Sequence, residues 1–100
     1  MEMKTAKEMK AITNSAYDNK ISIACDILVE SLYKDILRYA KKGWDRINVS
    51  VCARMASEHM SFNDEMTKDI LGLVRGALSE LGYFVTFDGS GEYQTINVEW

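Results

Sequence analysis

The chain contains no proline, so glycine, capping side chains and changes in hydrophobic period must mark the ends of its helices and strands. Gly43 and Gly82 each follow a run of residues with helical spacing, and glycine is the residue that most often ends a helix. Before Gly43 the pattern predicts two helices, at residues 3–17 and 21–42. Residues 18–20 (Asp-Asn-Lys) are the predicted break between them.

After Gly43 the hydrophobic pattern changes to strict alternation, which is typical of a half-buried strand. In chain order, the predicted elements after Gly43 are a strand at 47–51, helices at 52–60 and 64–81, and strands at 83–87 and 93–100, the last two joined by a turn at 88–92. The predicted order is therefore α-α-β-α-α-β-β. It indicates a single α+β domain over residues 1–100, with helices packed on a small three-stranded antiparallel sheet.

Local side-chain patterns add three expectations. Thr5 and Glu8 have the spacing of a capping box at the start of the first helix. Trp44 directly follows the glycine that ends the second helix, so its ring either packs back onto that helix or serves as an exposed recognition anchor. Trp100 alternates inward with the apolar residues of the last strand, and we expect it to lie in the core.

Composition and charge exclude several classes of protein. The apolar fraction of 47% and the charged fraction of 27% are typical of a folded domain. The net charge of −3 argues against general affinity for nucleic acid or for an anionic membrane. No apolar run approaches the roughly 20 residues that span a bilayer, and the charged N-terminus is unlike a signal peptide. We therefore expect a cytoplasmic protein in which Cys25 and Cys52 are buried free thiols.

The sequence offers no recognisable catalytic or metal-binding set. His59 and Cys52 would lie about 10.5 Å apart along one helix, beyond the reach of a nucleophile–base hydrogen bond. A structural zinc site uses four ligands, and the chain has two cysteines and one histidine. The Gly-Ser-Gly at residues 89–91 lies between two predicted strands, whereas phosphate-binding loops precede a helix. We expect no enzyme activity, no metal and no cofactor.

From the second predicted helix onward, residues 20–100 resemble the winged-helix proteins, with residues 1–18 as an added N-terminal helical segment. The resemblance is one of element order and covers about 80 residues. It implies duplex DNA binding, with the helix at 64–81 in the major groove and the hairpin on phosphate. That helix carries four acidic and two basic side chains, and the hairpin turn carries Asp88 and Glu92 without a basic residue. Such surfaces would repel DNA, so we expect nucleic-acid binding to be absent.

Along the chain, Ala40 to Gly43 is followed by a strand, by a helix ending in Leu81-Gly82-Tyr83 and by a hairpin finishing in Trp100. In this succession the chain also resembles small uncharacterised proteins of tailed phages. This second resemblance implies a phage-encoded accessory or inhibitor protein that acts in the host cytoplasm.

Two helix faces predict a protein partner. Gly72 and Gly76 fall opposite the predicted core stripe of their helix, flanked by Asp69, and each costs about 1 kcal/mol relative to alanine. We interpret them as a site where another backbone approaches closely. Ile23 and Ile27 likewise lie opposite the main stripe of the second helix. The short first helix, with Met9, Ile12 and Ala16 at helical spacing, would not cover both surfaces.

The sequence therefore predicts a non-enzymatic protein-interaction module that associates with itself. Packing of every face within one chain is one alternative to this interface, and a winged-helix transcriptional regulator is the alternative function. The candidate interface residues are Gly72, Gly76, Asp69, Ile23, Ile27 and Trp44.

Overall fold

The computed structural model describes residues 3–100. In chain order its elements are α1 (Ala6–Lys41), β1 (Arg46–Ser50), α2 (Val51–Ser57), α3 (Asp64–Glu80), β2 (Phe84–Asp88) and β3 (Thr95–Glu99), with a 3-10 turn at Gly91–Tyr93. The predicted α+β class is confirmed. The prediction of four helices is wrong, because the first two form one helix of 36 residues. The order of regular elements in the described part of the chain is α-β-α-α-β-β.

Helix α1 runs without interruption through residues 18–20, where a break was predicted. Asp, Asn and Lys each cost at most about 0.7 kcal/mol relative to alanine inside a helix, far less than proline. Two tertiary contacts also hold the helix at this point. The Tyr17 hydroxyl donates a hydrogen bond to the Asp69 carboxylate on α3, and the Lys20 ammonium lies 5.6 Å from the centre of the Phe62 ring. With a small propensity cost and contacts on both sides of it, the polar tripeptide remains helical.

The helix ends are set by local capping, largely as predicted. The Thr5 hydroxyl accepts a hydrogen bond from the Glu8 backbone amide, so Thr5 is the N-cap of α1. Gly43 and Gly82 follow α1 and α3 with φ of +87° and +93°, the left-handed conformation expected at this position. His59 takes the same position after α2 with φ of +56°, although it is not a glycine. The histidine is thus an exposed residue at a helix end.

The three strands form one antiparallel sheet in the order β1-β3-β2. Val98 of the central strand lies opposite Ile47 of β1 and Val85 of β2, and all three side chains are buried on the inner face. From the second half of α1 onward, the chain has the order α-β-α-α-β-β that the sequence predicted.

The core lies where α1 and α3 pack on each other and on the inner face of the sheet. Its largest fully buried side chains are Leu28, Leu32, Ile70, Val74, Leu78, Val85, Ile96 and Val98. On α3 the buried side is rotated from the prediction: Leu71 is buried, whereas Leu73 and Leu81 are exposed. The buried residues Ile70, Leu71, Val74 and Leu78 lie within about 100° of one another around α3, and Leu73 falls outside that sector. Leu81 is exposed because it is the C-cap residue that follows the helix.

Trp100 does not lie in the core, so that prediction is wrong. The residue follows the last residue of β3, and 37% of its surface is exposed. Its ring meets the Tyr83 ring edge-on at 6.4 Å between centroids, and its backbone amide donates to the Asp45 carbonyl oxygen at 3.0 Å. The preceding apolar residues of β3 already fill the inner face of the sheet, which leaves the tryptophan at the rim.

The molecule is elongated because α1 extends beyond the rest of the fold. Its dimensions are 63 × 26 × 20 Å, and a helix of 36 residues is about 54 Å long. Every residue from Met3 to Ala16 is exposed, and the first buried position of α1 is Ala24. We call residues 6–16 the N-terminal arm.

Candidate protein-interaction surface

One side of α1 carries a row of exposed apolar residues that runs from the arm onto the body of the protein. Met9 is 54% exposed, Ile12 48% and Ile23 52%. At about 100° per residue, the row lies within a sector roughly 80° wide on the side of the helix opposite Leu28 and Leu32. We call this row the α1 seam; it consists of Met9, Ile12, Ala16, Asn19, Ile23 and Ile27.

The seam joins two features that were assigned to separate helices. Met9 lies outside the core, because no other element of the described residues covers the arm. Ile27 is half-buried but does not pack against the core cluster. Since α1 is continuous, Met9 and Ile12 lie in line with Ile23 and Ile27 over about 27 Å of one rigid helix.

The root of the arm is fixed to α3. Tyr17 is half-buried, and its hydroxyl donates to the carboxylate of Asp69, a residue predicted to lie at an interface. This hydrogen bond, with smaller contributions from burial and nearby acidic groups, raises the pKa of Tyr17 to about 12. Asp69 therefore acts within the chain, because it sets where the arm leaves the body.

Charge along α1 changes sign between the arm and the body. Residues 4–13 carry three lysines and one glutamate, for a net charge of +2. Residues 22–31 carry Asp26 and Glu30 without a basic residue, for −2. Glu30 lies 3.5 Å from the ammonium of Lys34, and both side chains are more than 70% exposed, so this ion pair screens the charge only weakly.

The glycine face of α3 is open within the chain. A Cβ atom placed on Gly72 or Gly76 would meet no atom within 4 Å. The predicted close approach of another backbone is therefore not made by any other part of the chain within residues 3–100. A close approach by a second chain stays a prediction.

Trp44 lies at the other end of α1, and 60% of its surface is exposed. Its amide donates to the Tyr39 carbonyl oxygen in the helix cap, but its ring lines a surface groove. The three arginines of this groove are paired with acids: Arg46 with Asp45 and Glu99, and both Arg38 and Arg54 with Asp35. Because these charges are compensated, the groove has no clear preference for a charged ligand.

The six candidate residues do not form one surface. Ile23 and Ile27 belong to the α1 seam, Gly72 and Gly76 lie on the outer side of α3, and Trp44 follows the far end of α1. The sequence had not joined Met9, Ile12 and Ala16 to Ile23 and Ile27. The signal that could have joined them is the absence of proline and glycine between Met3 and Lys42.

The structure gives the positions of the groups considered for chemistry. Cys25 is buried, and burial raises the pKa of its thiol. Cys52 is exposed, so the prediction that both cysteines are buried is wrong for Cys52. Within residues 3–100 no three His, Cys, Asp or Glu side chains are grouped as metal ligands would be. In the same part of the chain, no helix has the length and hydropathy needed to cross a membrane.

The outer side of α3 is acidic, as the sequence predicted. Its exposed charged residues are Asp64, Glu65, Asp69 and Glu80 against Lys68 and Arg75. This is the helix that a winged-helix protein places in the DNA major groove, and its net charge of −2 opposes contact with phosphate.

No family model, curated protein or solved structure matches this chain.

Proposed function

We propose that this chain is a non-enzymatic protein-interaction module that binds its partner through the α1 seam. The supporting observation is that Met9, Ile12 and Ile23 are exposed along one side of a helix that extends beyond the body. Exposed apolar side chains that line up on one surface are found at protein–protein contact sites. An apolar helix face is also one of the recurring modes of partner recognition.

The arm gives a second reason to propose a partner. The arm extends α1 beyond the body by 11 exposed residues, so helix propensity rather than burial supports this part of the helix. Most helix stability in proteins comes from packing of an apolar face. A partner on the seam would supply that packing.

The proposal can be tested by photo-cross-linking in the native cell. A photoreactive amino acid is placed at position 12, on the seam, and in a control at position 14, which is exposed on the opposite side of the arm. We expect a defined protein, either this chain or another one, to be cross-linked from position 12 and not from 14. The complex is then rebuilt from purified components, and Ile23→Lys should abolish it. Equal cross-linking from both positions, or from neither, would contradict the proposal.

A winged-helix DNA-binding regulator is the second candidate, because the element order and the β1-β3-β2 sheet favour it. The acidic outer side of α3 argues against it. A gel-shift titration over a range of salt concentrations distinguishes the two, because a regulator must bind duplex DNA with a steep salt dependence. We expect no such binding.

A further inference from the structure

We propose that the free edge of β1 binds an extended, uncharged segment of another protein, which adds a fourth strand to the sheet. The segment lies in the surface groove that Trp44 lines, beside β1 and the flanks of α1 and α2. The groove has a volume of about 950 Å³, which is within the range of binding sites. It lies apart from the α1 seam and is a second binding surface.

The hydrogen bonds between β1 and β3 show which side of β1 is unpaired. Directly after β1, the Val51 amide donates to the Gln94 carbonyl oxygen at 3.0 Å, in the same register as the two strands. Bonded and non-bonded pairs alternate along an antiparallel ladder. Ile47 and Val49 are therefore the residues of β1 whose backbone groups bond to β3.

Arg46 and Asn48 alternate with these residues, so their backbone amide and carbonyl groups point to the free edge. Within residues 3–100, these groups have no hydrogen-bond partner. Each residue offers one donor and one acceptor, and the two residues are about 7 Å apart along the strand. Another extended backbone presents its own donors and acceptors at the same interval. The free edge is therefore complementary to a strand.

The helix beneath the sheet excludes a second copy of this chain as the source of that strand. Helix α1 packs against β1, whereas α3 packs against β2. In a pair of β1 strands from two chains, the strands would be about 4.8 Å apart, and each would have its own α1 beneath it. The two helices would then lie closer than the roughly 8–10 Å at which helices pack. A segment without a helix on that face fits instead.

Charge in the groove favours an uncharged segment. The side chains of Arg38, Arg46 and Arg54 are each paired with an acid of the same chain. A charged side chain of the segment would lose hydration in the groove and would find no unpaired arginine as a partner. Backbone hydrogen bonds and uncharged side chains carry no such cost.

The side chains of β1 indicate the pattern of the segment, because directly opposite residues on paired strands contact each other. Exposed Asn48 and Ser50 on the outer face favour polar residues opposite them. Buried Ile47 and half-buried Val49 on the inner face favour apolar ones. We therefore expect alternating polar and apolar residues, with Trp44 covering an apolar side chain at one end.

The first test selects nine-residue peptides from a random displayed library on the wild-type protein, and measures binding of the synthetic selected peptides by calorimetry. Asn48→Pro removes an amide at the free edge, a position where an edge strand accepts proline. Asn48→Ala is the matched control, because it also loses the side-chain hydrogen bond to Asn97 but keeps the amide. We expect Asn48→Pro to weaken binding roughly tenfold or more, and Asn48→Ala to change it less than about twofold. A library without binders, or binders that do not distinguish the two variants, would overturn the proposal.

The second test needs no variant at the edge and measures amide hydrogen exchange of the wild-type protein by nuclear magnetic resonance. The selected peptide should slow exchange at Arg46 and Asn48. Val85 is the control, because its partner Val98 bonds to β1 and the Val85 amide therefore points to the opposite edge of the sheet. Ile23→Lys, on the α1 seam, should bind the peptide as tightly as wild type. Protection of Val85 in place of Asn48, or loss of binding in Ile23→Lys, would place the peptide elsewhere and refute the proposal.

Discussion

Replacing Gly72 and Gly76 together by alanine tests whether the outer side of α3 is open. Both glycines lie in the interior of α3, and the space next to each is empty within the chain. If nothing else occupies that space, the new methyl groups clash with nothing, and the change in helix propensity alone determines the effect.

The magnitude follows from that empty space. Alanine is favoured over glycine by about 1 kcal/mol in a helix interior, so the double variant should raise the free energy of unfolding by about 2 kcal/mol. For a domain of this size, that corresponds to an increase in Tm of roughly 8–16 °C. Gly82→Ala is the control, because it also meets no neighbour but has φ of +93°. It should lower the stability by about 1–2 kcal/mol, since an L-residue is strained in that conformation.

The assay combines thermal and urea unfolding with the mass in solution, both measured over a dilution series. We expect greater stability and an unchanged mass, because no other part of the described chain lies beside the two glycines. A variant that is less stable at low concentration would show that the chain packs at this face after all. A smaller mass at high concentration would instead show that a second chain approaches Gly72 and Gly76, as the sequence pattern predicted.

Three further predictions concern two single residues and the last strand. Tyr17→Phe removes the hydrogen bond to Asp69 and should lower the stability of the protein below pH 10. The difference from wild type should be lost as the pH rises through about 12, which is the raised pKa of Tyr17. Equal stability of the two proteins at pH 8 would contradict this prediction. His59→Gly should raise the free energy of unfolding in urea by about 0.5–1 kcal/mol, because the relief of left-handed backbone strain exceeds the added entropy of the unfolded chain. His59→Ala, which keeps the strain, should not raise it. Deletion of residues 96–100 removes most of the central strand and should abolish the cooperative thermal transition that circular dichroism detects. An unchanged melting curve would show that the strand is dispensable.

Some features of this protein were determined by the sequence alone, because they depend on residues that are close along the chain. The cap at Thr5 and the helix ends at Gly43 and Gly82 follow from hydrogen bonds within one turn. The alternating strands and the α+β class follow from side-chain period in the same way. Each of these signals lies within a few residues, so one sequence is enough to detect it.

Other features were decided only by tertiary structure. Asp18, Asn19 and Lys20 are as suited to a turn as to a helix by propensity, and contacts made by Tyr17 and Lys20 with distant residues accompany the helix that forms there. That choice places the arm beyond the reach of the core, exposes Met9 and aligns Ile12 with Ile23 on one surface. Hydrophobic spacing alone could not predict the seam, because the direction of a side chain depends on whether the helix before it is continuous. A break at residues 18–20 would have let the two halves rotate independently, and the absence of proline and glycine was the one sequence signal against such a break.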